Sequence, residues 1–342
     1  MRGLGKTEAL TGEDAAALFA AHLPEGGARP IILAVSGGPD STAMMGLYAE
    51  ARRIAPLPPA LVATVDHRLR AEAGAEAEGV ARLAATFGFS HRLLVWEDRT
   101  RLSRLQEDAR NARYRLIGQL VRETGAVAVL TAHTLDDQAE TVVMRLARGS
   151  GPAGLQGILP QRMLRGVHLV RPFLAIAKSR LLATCKARGW PYASDPSNAN
   201  PDFQRVRIRG LMSALTREGL TAERLGLFAR RMGRAQAALD AAAGQVVANI
   251  RFAVRGKTAF DAVRLVEEPE EIILLVLRRL IDEVSEAYGD EGIVRLNALE
   301  ALVARLVPQV RRTRRFDGTL GAVLIRVREG SLTVGLAPPR KR

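Results

Sequence analysis

Apolar positions along the first half of the chain follow two alternating rhythms. Short, nearly unbroken apolar runs rich in β-branched residues occupy residues 31–35, 60–66, 92–96 and 126–131, and they read as buried strands. Between and after them, residues 42–53, 72–87, 103–124 and 136–148 repeat apolar positions at helical spacing. Strands alternating with helices predict βαβ units, and so an α/β fold built on a doubly wound parallel sheet covered on both faces. In such sheets ligands bind beyond the carboxyl ends of the strands, which directs attention to the residues just after Val35, Val65 and Leu130.

From Gly149 the texture changes. "RGSGPAGLQGILPQR" is rich in glycine and proline and predicts a loop. A strand over 166–171, a helix over 177–188 and the Pro/Asn-rich "DPSNANPD" follow. Beyond about residue 215 the pattern is helical to 247, and another helix is predicted over 269–288. The end of the chain alternates as "AVLIRVREGSLTVGL", a β-hairpin turning at Glu329-Gly330. A domain boundary is expected at 215–222, separating residues 1–215 from a basic, mainly helical region, 216–342, that ends in the hairpin.

With 342 residues, 47% apolar and 25% charged, the composition is that of a soluble globular protein. No apolar run reaches the ~18 residues of a membrane span, and the first residues lack a secretory h-region. The single cysteine, Cys185, excludes a disulfide framework or an all-cysteine metal site within one chain. A cytoplasmic location is therefore expected, with no membrane partner.

The net charge of +14 changes this picture more than composition does. Forty-five of the fifty basic residues are arginine, a skew that coding bias alone could produce. Their distribution is less neutral. Residues 305–342 carry ten basic and two acidic side chains, +8 of the total, and such clustering points to a nucleic-acid partner.

The chemistry gathers at the strand ends. After the first strand comes Ser36-Gly37-Gly38-Pro39-Asp40-Ser41. Its glycines let backbone N–H groups converge on an anion, and the following helix adds its positive end. Asp40 would repel phosphate unless a divalent cation lay between them, so the string reads as a site for phosphate with Mg²⁺. It is neither G-x-x-x-x-G-K-[ST] nor G-x-G-x-x-G, so the usual ATPase lysine and the dinucleotide fingerprint are both missing.

After the fourth strand, "TAHTLDDQAET" places His133, Asp136, Asp137, Gln138, Glu140 and Thr141 together, with Asp137, Glu140 and Thr141 on one helix face. Helix-dipole compensation accounts for one or two of these carboxylates; the set suits Mg²⁺ or a cationic substrate. "DHRLR" follows the second strand, and "EDARNARYRL" carries Arg110, Arg113 and Tyr114, which in isolation reads as a salt-bridged helix face. In "RVRIR", Arg205, Arg207 and Arg209 alternate and would share one face if extended, as a ladder for phosphates.

"SGGPDS" resembles the pyrophosphate loop of the ATP pyrophosphatase (PP-loop) superfamily. In order, "SGGPDS", "DHRLR", "EDARNARY", "AHTLDDQAET", "RGSGPAGLQG", "RPFL" and "DPSN…RVRIR" resemble the tRNA(Ile)-lysidine synthetases over about residues 28–215. Two positions depart from that family: Thr134 follows His133 where a second histidine is common, and Val206 follows Arg205 where asparagine is common.

The resemblance implies an adenine nucleotide alpha hydrolase-like fold. It also implies ligation of L-lysine to C2 of the wobble cytidine of tRNA(Ile) with a CAU anticodon, using ATP and Mg²⁺, through an adenylated tRNA. It places ATP at Ser36, Gly37, Gly38, Pro39, Asp40 and Ser41, Mg²⁺ on Asp40, and lysine on Asp137 and Glu140. Catalytic roles fall on Asp40, Arg113, His133, Asp137 and Glu140, with Arg110 as a second candidate at the α-phosphate. RNA contacts fall on Arg205, Arg207 and Arg209, and a homodimer is left open. Thiolating relatives need cysteines and amidating relatives a glutaminase, neither of which this sequence offers. Synthetases of small molecules would gain nothing from the basic end. A passive nucleotide-binding RNA protein would gain nothing from Asp40, Asp137 and Glu140.

Overall fold

The computed structural model describes residues 8–23, 27–68, 73–97, 105–164, 166–193, 202, 204–254, 257–287 and 294–338. The chain begins with α1 (Gly12–Ala20), β1 (Ile31–Ala34), α2 (Pro39–Ala51), β2 (Ala60–Asp66), α3 (Ala73–Thr86) and β3 (Ser90–Val95). It continues with α4 (Leu105–Thr124), β4 (Ala128–Leu130), α5 (Leu135–Leu146), α6 (Pro152–Leu155), β5 (Gln161–Leu164) and β6 (Val167–Val170). Then come α7 (Lys178–Arg188), α8 (Gln204–Arg217), α9 (Ala222–Ile250), β7 (Arg251–Val254), β8 (Lys257–Asp261) and α10 (Ala262–Leu265). The last elements are α11 (Glu270–Ala287), α12 (Leu296–Arg311), β9 (Phe316–Leu320), β10 (Val323–Arg328) and β11 (Ser331–Leu336). Two units divide the chain, Met1–Arg148 with Gly157–Ala229, and Gly149–Gln156 with Arg230–Arg342.

The first unit holds a six-stranded sheet in the order β3-β2-β1-β4-β6-β5, parallel except for β5 at its edge. Alternation along β1 explains why it sits centrally. Ile31 and Leu33 join the core of α2, with Met44, Met45, Leu47 and Tyr48, while Ile32 joins that of α4, with Ile117 and Leu120. Each such burial contributes about 1.5–3 kcal/mol relative to exposure. Helix α2 is buried on nearly every side, as expected of a helix with apolar residues all round. Because β1 pairs with β2 on one side and β4 on the other, the strand order reverses at β1, and the crevice beyond its carboxyl end is where such sheets bind ligands.

The second unit holds an antiparallel sheet, β7-β8-β11-β10-β9, covered by apolar side chains of α11 and α12 such as Leu277, Leu280, Leu302 and Leu306. The expected hairpin is β10–β11: Arg328 faces Ser331 across a two-residue turn in which Glu329 and Gly330 have φ of 50° and 76°. Strands β7, β8 and β9 enlarge it to five strands. Among the described residues, no helix is long and apolar enough to cross a membrane.

Candidate active site

The corner after β1 is held from several directions. The Val35 amide still pairs with the Ala63 carbonyl, and Gly37 then turns the chain with φ of 88°. Gly38 is the extended N-cap of α2 and Pro39 its first residue, where a missing N–H costs nothing. Ser41 Oγ accepts the Ser36 N–H at 3.1 Å, lies 3.3 Å from Ser36 Oγ and donates to the Gly38 carbonyl at 3.0 Å. From α7 and beyond it, Cys185 Sγ donates to the Pro39 carbonyl and the Ala193 N–H to the Gly37 carbonyl. The loop is thus shaped by its own serines and clamped from outside, with the open end of α2 directed to one place.

Asp40 Oδ2 meets Lys178 Nζ at 3.0 Å, whereas its Oδ1 is buried without a hydrogen-bond partner. Burial raises the Asp40 pKa, Lys178 opposes this, and the nearby Asp137 and Asp136 add to the rise. Among the described residues no group of three or more His, Cys, Asp or Glu could cage a metal. One orphaned carboxylate oxygen beside a phosphate-shaped corner instead fits Mg²⁺, which takes one or two carboxylates and completes its shell with phosphates and water.

The three carboxylates of α5 have distinct partners. Asp137 Oδ2 accepts the Thr134 N–H at 2.8 Å and its hydroxyl at 2.9 Å, closing a capping box. Burial works against the Asp137 anion, but Thr134, Arg205 and His133 outweigh it and hold the carboxyl below its usual range. Asp136 reaches across and accepts the Lys178 N–H at 2.7 Å, so it caps α7, whose own N-cap, Ala177, has no capping side chain. Glu140 is buried between two guanidinium groups. Arg205 Nε lies 2.8 Å from its Oε2, and Arg209 Nε lies 2.7 Å from its Oε1. His133 Nδ1 is 2.9 Å from the Thr131 hydroxyl.

The expected arginine ladder does not form, because 205–209 lie in helix α8 and not in extended chain. Helical spacing puts Arg205 and Arg209 on one face, toward Glu140, and turns Arg207 to the Asp202 carbonyl. On the β2 side, Arg113 of α4 donates to His67 Nε2 at 3.3 Å, which assigns the imidazole proton to Nδ1. Burial, and then Arg113, press the His67 pKa down to about 4. Tyr114 belongs to the core. Leu69, Arg70 and residues 194–200, with the side chains of Glu107 and Arg110, lie outside the described residues.

The structure therefore brings together Ser36–Ser41, Asp40, Asp136, Asp137, Glu140, Arg205 and Arg209. Sequence reading missed Lys178. Two signals could have found it: it is one of five lysines in an arginine-rich chain, and it opens a helix, where a cation opposes the dipole.

Residues 13–215 match a family described as a PP-loop domain. A protein of Methylobacterium nodulans named tRNA(Ile)-lysidine synthase is 52% identical over 322 residues, covering 93% of this chain and 94% of that one. A protein of the same name from another Methylobacterium species is 48% identical, covering 97% and 96%. Among solved structures, the U34-tRNA thiolase of Methanococcus maripaludis with its [4Fe-4S] cluster aligns with a TM-score of 0.54 at 15% identity. The alignment covers 64% of this chain and 78% of that one, and the likeness is one of fold.

Proposed function

Since the chain belongs to the tRNA(Ile)-lysidine synthases, enzymes of the PP-loop class that use ATP, we propose that it joins L-lysine to C2 of the wobble cytidine of tRNA(Ile) with a CAU anticodon. The observation that carries this reading is the serine-shaped corner at the sheet's reversal point, with an orphaned carboxylate oxygen beside it and a second acidic cluster on α5.

The cytosine C2 oxygen is a poor leaving group, so ATP first transfers AMP to it and releases pyrophosphate. Ser36 to Ser41 and the α2 amino end cradle that pyrophosphate. Asp40 would hold Mg²⁺, which supplies charge neutralisation at the phosphates when bound. Arg113, fixed by the neutral His67, offers a guanidinium for the α-phosphate.

The lysine ε-amine then attacks C2; the new C–N bond forms as the C2–O bond breaks and AMP leaves with the electron pair. The ε-ammonium must first lose a proton, since its solution pKa is about 10.4. One of Asp137, Glu140 and His133 would take that proton. Asp137 is the carboxylate best placed to take an ammonium, because the charge of Glu140 is already matched by Arg205 and Arg209. Residues 1–215 would carry the chemistry and 216–342 the tRNA contacts. Arg312, Arg314 and Arg315 are exposed beside β9, whereas Arg326 and Arg328 are paired with Asp317. Thiolation is disfavoured, as one buried cysteine cannot ligate a cluster.

The test is incorporation of radiolabelled lysine into tRNA(Ile) with a CAU anticodon, in the presence of ATP and Mg²⁺. Label should enter this tRNA and not a methionine tRNA of the same anticodon, and Asp40→Ala should abolish it. ATP cleavage to AMP and pyrophosphate on another acceptor, without label, would overturn the assignment.

A further inference from the structure

The glycine-rich corner contains no lysine of its own, and the fold supplies one from a distant part of the sequence. Lys178 is the first residue of α7, and its Nζ lies 3.0 Å from Asp40 Oδ2. Its main-chain N–H is fixed by Asp136 Oδ2 at 2.7 Å. Helix α7 is tied to the corner a second time through Cys185 and the Pro39 carbonyl, and the chain beyond it a third time through Ala193 and Gly37. The base of the Lys178 side chain is therefore set relative to the loop.

A cation in the first turn of a helix opposes the dipole, so this position has no local benefit. An ion pair with Asp40 alone would account for one of the three ammonium donors. The side chain is 43% exposed, enough for the others to reach a ligand at the corner, and the neighbouring Asp40 Oδ1 is buried without a partner. Lysine serves phosphate as a compact point charge on a flexible stem.

We propose that Lys178 is a ligand of the pyrophosphate group, bridging Asp40 to the phosphate oxygens and supplying in trans to the loop the cation that the loop lacks. This inference rests on the reading of Ser36–Ser41 as a pyrophosphate site. During adenylation Lys178 would hold the departing pyrophosphate while the P–O bond to the α-phosphate breaks, and no proton transfer is assigned to it.

The test is calorimetric binding of inorganic pyrophosphate with Mg²⁺, and separately of AMP, to the intact protein, Lys178→Ala and Lys178→Arg. Loss of one charge-assisted contact should raise the pyrophosphate Kd of Lys178→Ala by about tenfold or more, with the AMP Kd and the melting temperature unchanged. Lys178→Arg should recover part of the affinity. Equal pyrophosphate affinity in Lys178→Ala and the intact protein would overturn the proposal. So would a parallel loss of AMP and pyrophosphate binding with a lowered melting temperature, the mark of a purely structural ion pair. No pyrophosphate binding by the intact protein would overturn the pyrophosphate site itself, and this inference with it.

Discussion

Arg209 grips both oxygens of Glu140, with Nε at 2.7 Å from Oε1 and a terminal nitrogen at 3.3 Å from Oε2, while the carboxylate keeps only 4% of its side-chain exposure. The pair fastens α8 to α5, and so places the helix after the "DPSN" segment against the candidate site.

Removing Arg209 leaves a buried carboxylate with Arg205 as its remaining cation. Breaking a fully buried pair costs about 3–5 kcal/mol, but both arginine side chains are 42% exposed and water recovers part of that. Arg209→Ala should thus lower stability by about 1–3 kcal/mol in urea titrations. Arg207→Ala, on the exposed opposite face, should stay within about 0.5 kcal/mol. Equal effects at the two positions would contradict the helical placement.

Asp137 has two tasks that one substitution can separate. Its Oδ2 caps α5, while Oδ1 has Arg205 at 3.5 Å. Asp137→Asn keeps an oxygen for the cap and deletes the charge, so the fold should hold. If lysine's ammonium binds there, the KM for lysine should rise by about tenfold or more while the KM for ATP stays unchanged. A rise in both would place Asp137 at the nucleotide instead.

His67 makes a pH signature. With its pKa near 4 in the fold and about 6.5 in the unfolded chain, the unfolded chain binds the extra proton. The His67 contribution is complete above pH ~6.5 and lost as pH falls toward 4. His91, also lowered by burial, acts in the same direction, so the comparison must be with a variant. His67→Gln should flatten part of the stability decline between pH 6.5 and 4.5. An imidazole NMR titration with a midpoint near 6.5 would refute the half-buried, Arg113-facing placement.

Much of this site was legible because it lies in short local strings. The run ending at Val35, its glycines and the following helix are neighbours in sequence, so Ser36 to Ser41 could be read directly. Relationships across the fold were not legible. "RVRIR" alternates like a strand, yet Gln204–Arg217 is a helix because Arg205 and Arg209, four apart, can then both pair with Glu140, 65 and 69 residues away. Asp136 and Asp137 look alike in sequence, but one caps α7 and the other caps α5. Strand β9, "FDGTL", carries an aspartate and a glycine that mask its pattern; pairing with β10 decides its state.

Cys185 gives a probe of the corner. Burial, and then the charge of Asp40, push its thiol up to about 11. At pH 8 the native protein should resist iodoacetamide, and urea should expose one fast-reacting thiol. Rapid alkylation of the folded chain would place α7 away from the Pro39 carbonyl.

Gly46 decides whether Trp190 can lie on α2. A Cβ at this position would come within 2.4–2.6 Å of three atoms of the Trp190 ring. That ring is held by Phe87, edge-on at 5.4 Å, and by the Arg188 guanidinium at 5.2 Å, so it cannot simply swing aside. Glycine to alanine within a helix would otherwise gain about 0.8–1 kcal/mol. Overpacking a filled site costs about 1–3 kcal/mol, and here the clash involves a rigid ring already in contact with Phe87 and Arg188. The packing cost should win, so Gly46→Ala should lower the urea midpoint and shift the tryptophan fluorescence. Gly46→Ala combined with Trp190→Leu should recover part of the loss, because the smaller side chain frees the space. A stabilised Gly46→Ala single variant would show that helix propensity outweighs the contact, and that Trp190 does not lie against α2.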